Sequence, residues 1–392
     1  MHICFLTHEY PQANGDTGGT GTFVQTLGRL LVRAGHRASV VGTWRNLWDS
    51  TEDDEGVTVH RVRGSRLPTA RFLPNSMRID RRLAEIHRQT PIDVIEASNM
   101  GFAFVGHRID AARVIRMHGG HLYHRYELNE KPALWRSFQE RRSFRRADHY
   151  VAVGEYVGKI TARLLQIDWE QVKVIYNFVD DQLFCPSAET PTPDPHTLLT
   201  VGTVCKNKGM RELVLAVLQL IEEFPSVVLT IAGRDWRARK TDPSYRKTEL
   251  LPLIPAAARE HFRFIGPVAH GQVPQLLAKN AICVYPSHTE AMPVAWLETL
   301  AMGKPLIGGD IEPGREVIRD GVDGLLCNPH DPADIAAKIR SVLRSESLRQ
   351  ELAANARQRF ADTFSTEKLL GDNLSFFEQC IQGSPEKQAS CC

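Results

Sequence analysis

The sequence lacks the features that mark membrane-spanning, metal-binding and nucleic-acid-binding proteins. No apolar run approaches the ~20 residues that a membrane-spanning helix needs. The eight cysteines show no metal-ligand spacing and several fall in predicted strands, so we expect reduced thiols. The net charge of +2 gives no reason to expect a nucleic-acid partner. The first residues, MHICFLTHEYP, do not resemble a signal peptide, so we expect a cytoplasmic protein.

Arginine is present but unevenly placed. The ordinary interpretation of its two clusters is that they are solvated helix faces. The alternative is attraction to anionic lipid headgroups, at the inner face of a membrane, or to a phosphate-bearing acceptor. The first cluster contains Arg61, Arg63, Arg66, Arg71, Arg78, Arg81, Arg82 and Arg88, and the second contains Arg141, Arg142, Arg145 and Arg146.

The length of 392 residues predicts two domains. Short apolar runs alternate with segments of helical spacing, which predicts an α/β fold with two doubly wound, Rossmann-like domains facing a central cleft. That cleft is the expected active site. The runs are HICFLT, RASVVG, GVTVHRV, DVIEAS, RVIRMH, HYVAVG and VKVI, then LLTVGTV, VVLTIAG, FRFIGPV, AICVYP and PLIGG. The predicted parts are a first domain over 1–185, a proline-rich linker over 186–196, a second domain over 197–364, a helix over 365–382 that crosses back to the first domain, and a flexible tail over 383–392.

Two glutamates, Glu290 and Glu298, follow the predicted strand Ala281–Pro286. Ligands of open α/β sheets bind beyond the carboxyl ends of strands. We expect Glu290 at the mouth of the next helix and Glu298 about two turns further in. The first amides of that helix, near Met292 and Val294, would favour an anionic or oxygen-rich ligand. The alternative is an acid that complements the helix dipole and a second acid on a solvated face.

A glycine loop, NGDTGGTGTFVQTLGRLL, precedes the first predicted helix. Gly18 and Gly19 would let a phosphate approach the backbone and the helix N-terminus, or they form a flexible turn. A dinucleotide fingerprint fits poorly, because ~10 residues separate Gly18 from the strand where that motif allows a tight turn. This spacing disfavours a nicotinamide dehydrogenase.

Two further loops carry basic residues at strand ends. Lys208 lies just before a helix in VGTVCKNKGMRELVLAV, where it would neutralise phosphate oxygens or remain solvated. His118 ends a strand in RVIRMHGGHLYHRY, where it would donate to a sugar hydroxyl or phosphate, or serve as a capping or core histidine. His121 and His124 have no acid or cysteine at a supporting spacing, so we expect no metal.

Taken in order, these loops resemble those of the retaining family 4 glycosyltransferases, which have the GT-B fold. GGTGTFVQTLGRLLVRAGHRASVV is similar to that family's opening glycine loop and helix, and VKVIYNFVD to its "VIPNGVD" segment. VGTVCKNKG resembles its "VGRLxxxKG", and FRFIGPV its base-contacting turn. The segment HTEAMPVAWLETLAMGKP is similar to the E-x7-E signature, the most specific of these motifs.

The resemblance implies transfer of a sugar from a UDP- or GDP-linked donor to a glycan or lipid-linked hydroxyl acceptor, with no metal or other cofactor. The pathway that it suggests is the assembly of exopolysaccharide or other cell-surface glycans. It implies catalytic roles for His118 and Glu290, with Glu290 facing the donor sugar. The implied donor-binding residues are Gly18, Gly19, Lys208 at the diphosphate, the backbone of Val268 at the base, Met292, Val294, and Glu298 at the ribose.

Two positions depart from the family pattern. Thr203 stands where arginine is common, so Lys206, Lys208 or Arg234 would supply the missing charge. Pro293 stands where many members have glycine, which removes one amide donor. Two alternatives to transfer stay open: a nucleotide-sugar epimerase of the same fold, and a non-catalytic subunit that binds a sugar nucleotide.

Overall fold

The computed structural model describes residues 1–11, 18–44, 48–65, 72–106, 109–187, 192–237 and 241–383. The chain divides into two compact units. The first comprises Met1–Asn177 with the segment that begins at Glu367, and the second comprises Phe178–Thr366. The division therefore precedes the proline-rich stretch 186–196 that we predicted as the linker. Residues 188–191 of that stretch, and the predicted tail from residue 384 onward, lie outside the described residues.

Strands and helices alternate along both units, as the spacing of apolar residues predicts. The strands are β1 (His2–Leu6), β2 (Arg37–Trp44), β3 (Ser50–Asp54), β4 (Val57–Arg63), β5 (Val94–Ser98), β6 (Ala112–Met117), β7 (His149–Ala152), β8 (Val172–Val174), β9 (Thr197–Val201), β10 (Val228–Ala232), β11 (Phe262–Gly266), β12 (Ile282–Tyr285), β13 (Leu306–Gly309) and β14 (Leu325–Cys327). The helices are α1 (Gly19–Arg33), α2 (Phe72–Gln89), α3 (His121–Glu127), α4 (Leu134–Phe144), α5 (Glu155–Leu165), α6 (Met210–Leu218), α7 (Val273–Lys279), α8 (Val294–Ala301), α9 (Glu312–Val317), α10 (Pro332–Arg344), α11 (Glu346–Thr363) and α12 (Thr366–Gln382).

Each unit is built on one sheet. The order in the first unit is β3-β4-β2-β1-β5-β6-β7-β8, and every neighbouring pair is parallel except β3 with β4. The order in the second unit is β11-β10-β9-β12-β13-β14, all parallel. In the first sheet, β2, β4 and β3 lie on one side of β1, and β5 and the later strands lie on the other side. In the second sheet, the order reverses in the same way between β9 and β12. These reversal points are where open α/β sheets bind ligands.

Apolar residues at the sheet–helix contacts form the cores. Strand β1 is buried along its whole length, and α1 turns Phe23, Leu27 and Leu31 inward at the i, i+4, i+8 spacing of one helix face. In the second unit, Trp296 of α8 packs against Gly308, where an added Cβ would lie 2.3 Å from the indole ring. Within the described residues, six cysteines are free thiols and no helix is both long and apolar enough to cross a membrane.

Candidate active site

Lys208 and Glu290 meet at the reversal point of the second sheet. Lys208 ends a short 3-10 turn after β9, and Glu290 lies in the loop after β12. The Lys208 ammonium donates to Glu290 Oε1. Both side chains are partly buried, so the pair is screened less by salt than an exposed ion pair. The structure therefore brings together two residues that the sequence places 82 positions apart.

Backbone contacts hold these two loops against each other. Gly209 adopts the left-handed conformation, with φ +63°, and an added Cβ would lie 1.9 Å from the carbonyl oxygen of Pro286. Only glycine permits this approach. The N–H of His288 also donates to the carbonyl of Asn207 over 2.9 Å. The position of the Lys208 side chain thus depends on the loop after β12, which carries Glu290.

A partly buried histidine–glutamate contact, which the sequence analysis missed, lies beside the same loops. His288 Nε2 lies 3.4 Å from Glu212 Oε2, in the first turn of α6. Burial acts to raise the pKa of Glu212, but the neighbouring His288 outweighs it and the pKa is lowered. A histidine two residues before Glu290 is the only signal in the sequence that would have suggested this pair.

The helix after β12 begins later than predicted. Pro293 is its N-cap, in an extended conformation, and Val294 is its first residue. A proline disfavours the helical conformation in the residue before it, so Met292 cannot extend the helix backward. Of the two glutamates only Glu298 lies in α8, and Glu290 lies in the preceding turn. The prediction that Glu290 stands at the helix mouth, with Met292 among the first helical amides, was wrong.

Glu298 is buried and has a histidine partner. His270 Nε2 lies 2.8 Å from Glu298 Oε1. His270 occupies a short turn after β11, where its ring lies 5.2 Å from that of Phe184. Val268 lies two residues earlier in the same loop and is partly buried. The loop predicted to contact the base is therefore joined by a hydrogen bond to the glutamate predicted to bind the ribose.

Arg234 follows β10 and lies beside the segment that contains Thr203. Its carbonyl accepts from the N–H of Val204 over 2.8 Å, and Asp235 pairs with Val204 as an isolated bridge. Lys206 is exposed in the turn before Lys208. The backbone contact places Arg234 next to the segment that contains Thr203, and the choice among the three candidate cations stays a prediction.

In the first unit, His118 lies directly after β6 and is half-buried. The backbone N–H of His118 donates to Asn99 Oδ1 over 3.3 Å. The imidazole ring lies edge-on to the Phe23 ring, with centroids 5.2 Å apart. Burial, and then the positive charge of Arg116, lower the pKa of His118. The imidazole is therefore neutral at pH 7, with one nitrogen as donor and the other as acceptor.

Glu140, another residue that the sequence analysis missed, organises the loop after His118. Its buried carboxylate accepts from the N–H of Leu122 over 2.8 Å and from Asn99 Nδ2 over 3.3 Å. An added Cβ on Gly120 would lie 1.7 Å from Glu140 Oε1. Burial raises the pKa of Glu140. Because Asn99 also accepts from His118, one carboxylate fixes both the histidine and the glycine turn.

The predicted glycine loop leads into α1. Gly18 is the N-cap and Gly19 the first helical residue, while residues 12–17 lie outside the described residues. An added Cβ on Gly18 would lie 3.2 Å from Glu9 Oε2, so a carboxylate that the sequence analysis did not single out lies beside this helix end. The roles of Gly18 and Gly19 in donor binding stay predictions.

A cavity of about 490 Å³ lies at the carboxyl edge of the first sheet. Polar and charged side chains contribute much of its lining, among them Glu9, Thr43, Asn99, His118 and Arg136. Hydroxyl, amide and imidazole groups of this kind suit a ligand with several hydroxyls. In the described residues, no group of three or more His, Cys, Asp or Glu side chains could hold a metal ion. Metal independence stays a prediction.

Two family models match consecutive halves of the chain. The model described as Glycosyltransferase Family 4 matches residues 17–183. The model described as Glycosyl transferases group 1 matches residues 186–359. The chain belongs to the family 4 glycosyltransferases. The resemblance inferred from its loops is confirmed.

Comparison with known proteins agrees with this family. The glycosyltransferase is 29% identical to glycogen synthase of Mycobacterium tuberculosis over 218 residues, 56% of this chain and 51% of that protein. It thus spans about half the length of this curated relative. Sucrose-phosphate synthase from Thermosynechococcus elongatus matches with a TM-score of 0.84 and 20% identity over 98% of this chain and 100% of that one. Anabaena HepE in complex with UDP-glucose matches with a TM-score of 0.72 and 17% identity over 96% of this chain and 99% of that one. These likenesses confirm the GT-B fold.

Proposed function

We propose that this glycosyltransferase moves a sugar from a UDP- or GDP-linked donor to a hydroxyl acceptor, with retention of anomeric configuration. The contact between Lys208 and Glu290 at the reversal point of the second sheet carries the proposal. A cation and a carboxylate at that edge match the two parts of a nucleotide sugar, the diphosphate and the hydroxylated ring. The complex of the structurally similar HepE with UDP-glucose supports a donor of this class.

Each donor group has a proposed partner in the second unit. Lys208 neutralises the diphosphate, and Glu290 accepts hydrogen bonds from hydroxyls of the transferred sugar. Glu298 accepts from the ribose, and the loop of Val268 contacts the base. His270 donates to one oxygen of Glu298, which leaves acceptor capacity because a carboxylate has about four lone-pair sites. The Lys208 ammonium has three donors, so it can bind a phosphate oxygen while it still contacts Glu290.

In the proposed reaction, the acceptor hydroxyl attacks the anomeric carbon of the donor sugar on the same face from which the diphosphate departs. The bond from the anomeric carbon to the diphosphate oxygen breaks, and the acceptor oxygen bonds to the anomeric carbon. The departing phosphate takes the acceptor proton, so the nucleoside diphosphate leaves protonated and no covalent enzyme intermediate forms. Lys208 stabilises the charge that develops on the leaving group. His118, which is neutral, would donate to the sugar or the leaving phosphate.

The acceptor is proposed to be a glycan or lipid-linked hydroxyl compound that binds in the cavity of the first unit. Assembly of exopolysaccharide or another cell-surface glycan is the proposed pathway. Trp44, at the end of β2, is buried, and the guanidinium of Arg61 lies over its ring at 4.6 Å from the centroid. Residues 45–47, and the arginines at 66 and 71, lie outside the described residues.

A thermal-shift screen with UDP- and GDP-sugars tests the donor class. A donor at 100 times its Kd is expected to stabilise the native state by about 2.7 kcal/mol, and the nucleoside monophosphate without the sugar to shift the melting temperature less. Nucleotide sugars of only one base should produce the shift. No shift with either base would contradict the proposal.

Turnover assays separate transfer from the alternatives. Donor consumption that needs a glycan acceptor, with a product whose anomeric signal in NMR matches that of the donor, is expected. Donor conversion to free sugar without acceptor would indicate an epimerase. Donor binding without turnover by the purified protein would indicate a non-catalytic subunit, and an inverted anomeric signal would overturn the mechanism.

Replacing Glu298 by glutamine is expected to weaken donor binding while kcat changes little. The substitution keeps the shape of the side chain but removes the charged acceptor, and hydrogen bonds to charged groups contribute about 1.5–3 kcal/mol. The dissociation constant for nucleoside diphosphate, measured by calorimetry, should rise between about 10- and 150-fold. Glu260→Gln is the matched control, because Glu260 is exposed in the turn before β11, at the opposite edge of the sheet. Unchanged affinity of Glu298→Gln would contradict the ribose assignment.

A further inference from the structure

An exposed aromatic surface lies on the first unit, outside the cavity. Trp135 of α4 has three ring neighbours: Phe72 at 5.2 Å, Phe104 at 6.0 Å and Phe138 at 5.6 Å between centroids. Trp135 and Phe138 remain 49% and 45% exposed, and Leu134 before them is 89% exposed. We call these five residues the aromatic surface. A contiguous apolar patch on a water-soluble unit indicates a contact site.

The apolar surface continues onto α2. Leu73 and Met77 are both exposed, and Met77 is 73% exposed. They lie four positions apart, so they share one face of the helix. Phe72, at the first position of α2, joins this face to Trp135. Exposed aliphatic and thioether side chains therefore lie on the helix whose first residue contacts Trp135.

The exposed charge of α4, the helix that carries Trp135, has one sign. Helix α4 carries exposed Arg136 and Arg141, and Arg145 at its C-cap is exposed as well. The single acid of the helix, Glu140, is fully buried and holds the loop after His118. Arg142 lies over the Phe104 ring at 5.6 Å. The solvent-facing charge of α4 is therefore entirely positive.

The arginine cluster of residues 61–88 does not offer the same free charge. Arg61 is buried and donates to Glu52 over 3.1 Å. Arg78 donates to the carbonyl of Arg63 over 2.7 Å, and Arg82 pairs with Glu85 at 3.2 Å. Several of these arginines therefore stabilise the first unit internally.

We propose that the aromatic surface docks onto an anionic lipid bilayer. Leu134 and Met77 would enter the acyl boundary, Trp135 would lie at the headgroup level, and Arg141 and Arg145 would contact lipid phosphates. Aliphatic tips favour lipid over nucleic acid, because bases stack on rings and gain little from leucine or methionine. The exposed positive charge of α4 matches an extended negative surface. The proposal is independent of the transfer reaction.

Sedimentation with vesicles tests the docking. The protein is expected to bind phosphatidylglycerol–phosphatidylcholine vesicles at low salt, to bind less as salt rises, and not to bind phosphatidylcholine alone. Leu134→Asp places a carboxylate in the first turn of α4, which the helix dipole tolerates, so the fold should persist. This variant should bind at least tenfold more weakly. Arg141→Gln with Arg145→Gln should weaken binding about 25-fold, at about fivefold per arginine.

Val322→Asp is the matched control, because it adds the same charge at an exposed apolar position in the second unit. It should bind vesicles like the parent, and all variants should unfold at the same temperature. If the parent protein did not bind anionic vesicles at low salt, the proposal would be overturned. The proposal would also be overturned if Leu134→Asp bound the vesicles as tightly as the parent protein does. If that variant instead lost self-association in gel filtration while vesicle binding persisted, the surface would be an interface between copies.

Discussion

Replacing Glu290 by alanine abolishes sugar transfer while the second unit stays folded; this is the largest effect that we expect. The carboxylate would accept two hydrogen bonds from the donor sugar, each worth about 1.5–3 kcal/mol because the acceptor is charged. Losing both corresponds to a fall in kcat/KM between about 10² and 10⁴. The substitution also removes the partner of the Lys208 ammonium, which then no longer has a fixed position. The combined loss should place turnover below detection.

Steady-state kinetics with nucleotide sugar and acceptor measure this effect, and thermal unfolding checks the fold. Glu222→Ala is the matched control, since Glu222 is exposed between α6 and β10 at the opposite edge of the sheet. It should turn over like the parent. Near-normal turnover by Glu290→Ala would remove Glu290 from the active site and, with it, the main support for the proposed donor position.

The sequence predicted twelve of the strands but not β3 and β14, and the reason is physical. Strand β3, STEDD, has neither apolar alternation nor β-branched enrichment. It forms a hairpin with β4 through the two-residue turn at Glu55 and Gly56, both with positive φ, and Asp54 at its end accepts from Tyr10 over 2.6 Å and from Gln25 over 2.9 Å. Strand β14 has only three residues, too few to show a period. The spacing of apolar residues therefore does not reveal a polar hairpin strand or a strand of three residues.

The candidate site was predictable where one loop carries both the residue and its motif. Lys208 before α6 and His118 after β6 lie where their flanking patterns place them. The supporting contacts were not predictable, because they join separate segments: His270 contacts Glu298, Glu212 lies beside His288, and Glu140 accepts from Leu122. A lone histidine or a buried acid has no local pattern. In the second unit, the strand order brings the ends of β9, β11 and β12 to one edge and so brings these pairs together.

The start of α8 shows how one residue limits such predictions. The apolar spacing after Pro286 suggested a helix that reaches back to Glu290. Pro293 instead sets the N-cap, where its carbonyl accepts from the N–H of Trp296 over 3.0 Å. Its missing N–H costs nothing there, because the first helical amides have no intrahelical partner. Glu290 is consequently free of the helix and can turn toward Lys208.

Replacing Lys208 by methionine is expected to lower kcat by about 10²–10³, the usual effect of removing one preorganised donor from a developing negative charge. Methionine keeps the length of the side chain and removes the charge, so the loss reports electrostatics and not packing. Single-turnover kinetics at saturating donor isolate the chemical step from donor affinity.

Lys279→Met makes the same change at an exposed position, at the end of α7 and the opposite edge of the sheet, and should leave kcat unchanged. Lys208→Arg sharpens the test. Arginine retains the charge but presents a planar fork in place of a compact ammonium, so it should recover part of the lost rate. Equal loss in the methionine and arginine variants would mean that Lys208 acts by shape, through its fit beside Gly209. Full activity of the methionine variant would exclude Lys208 from leaving-group stabilisation, and Arg234 would then be the cation to replace next.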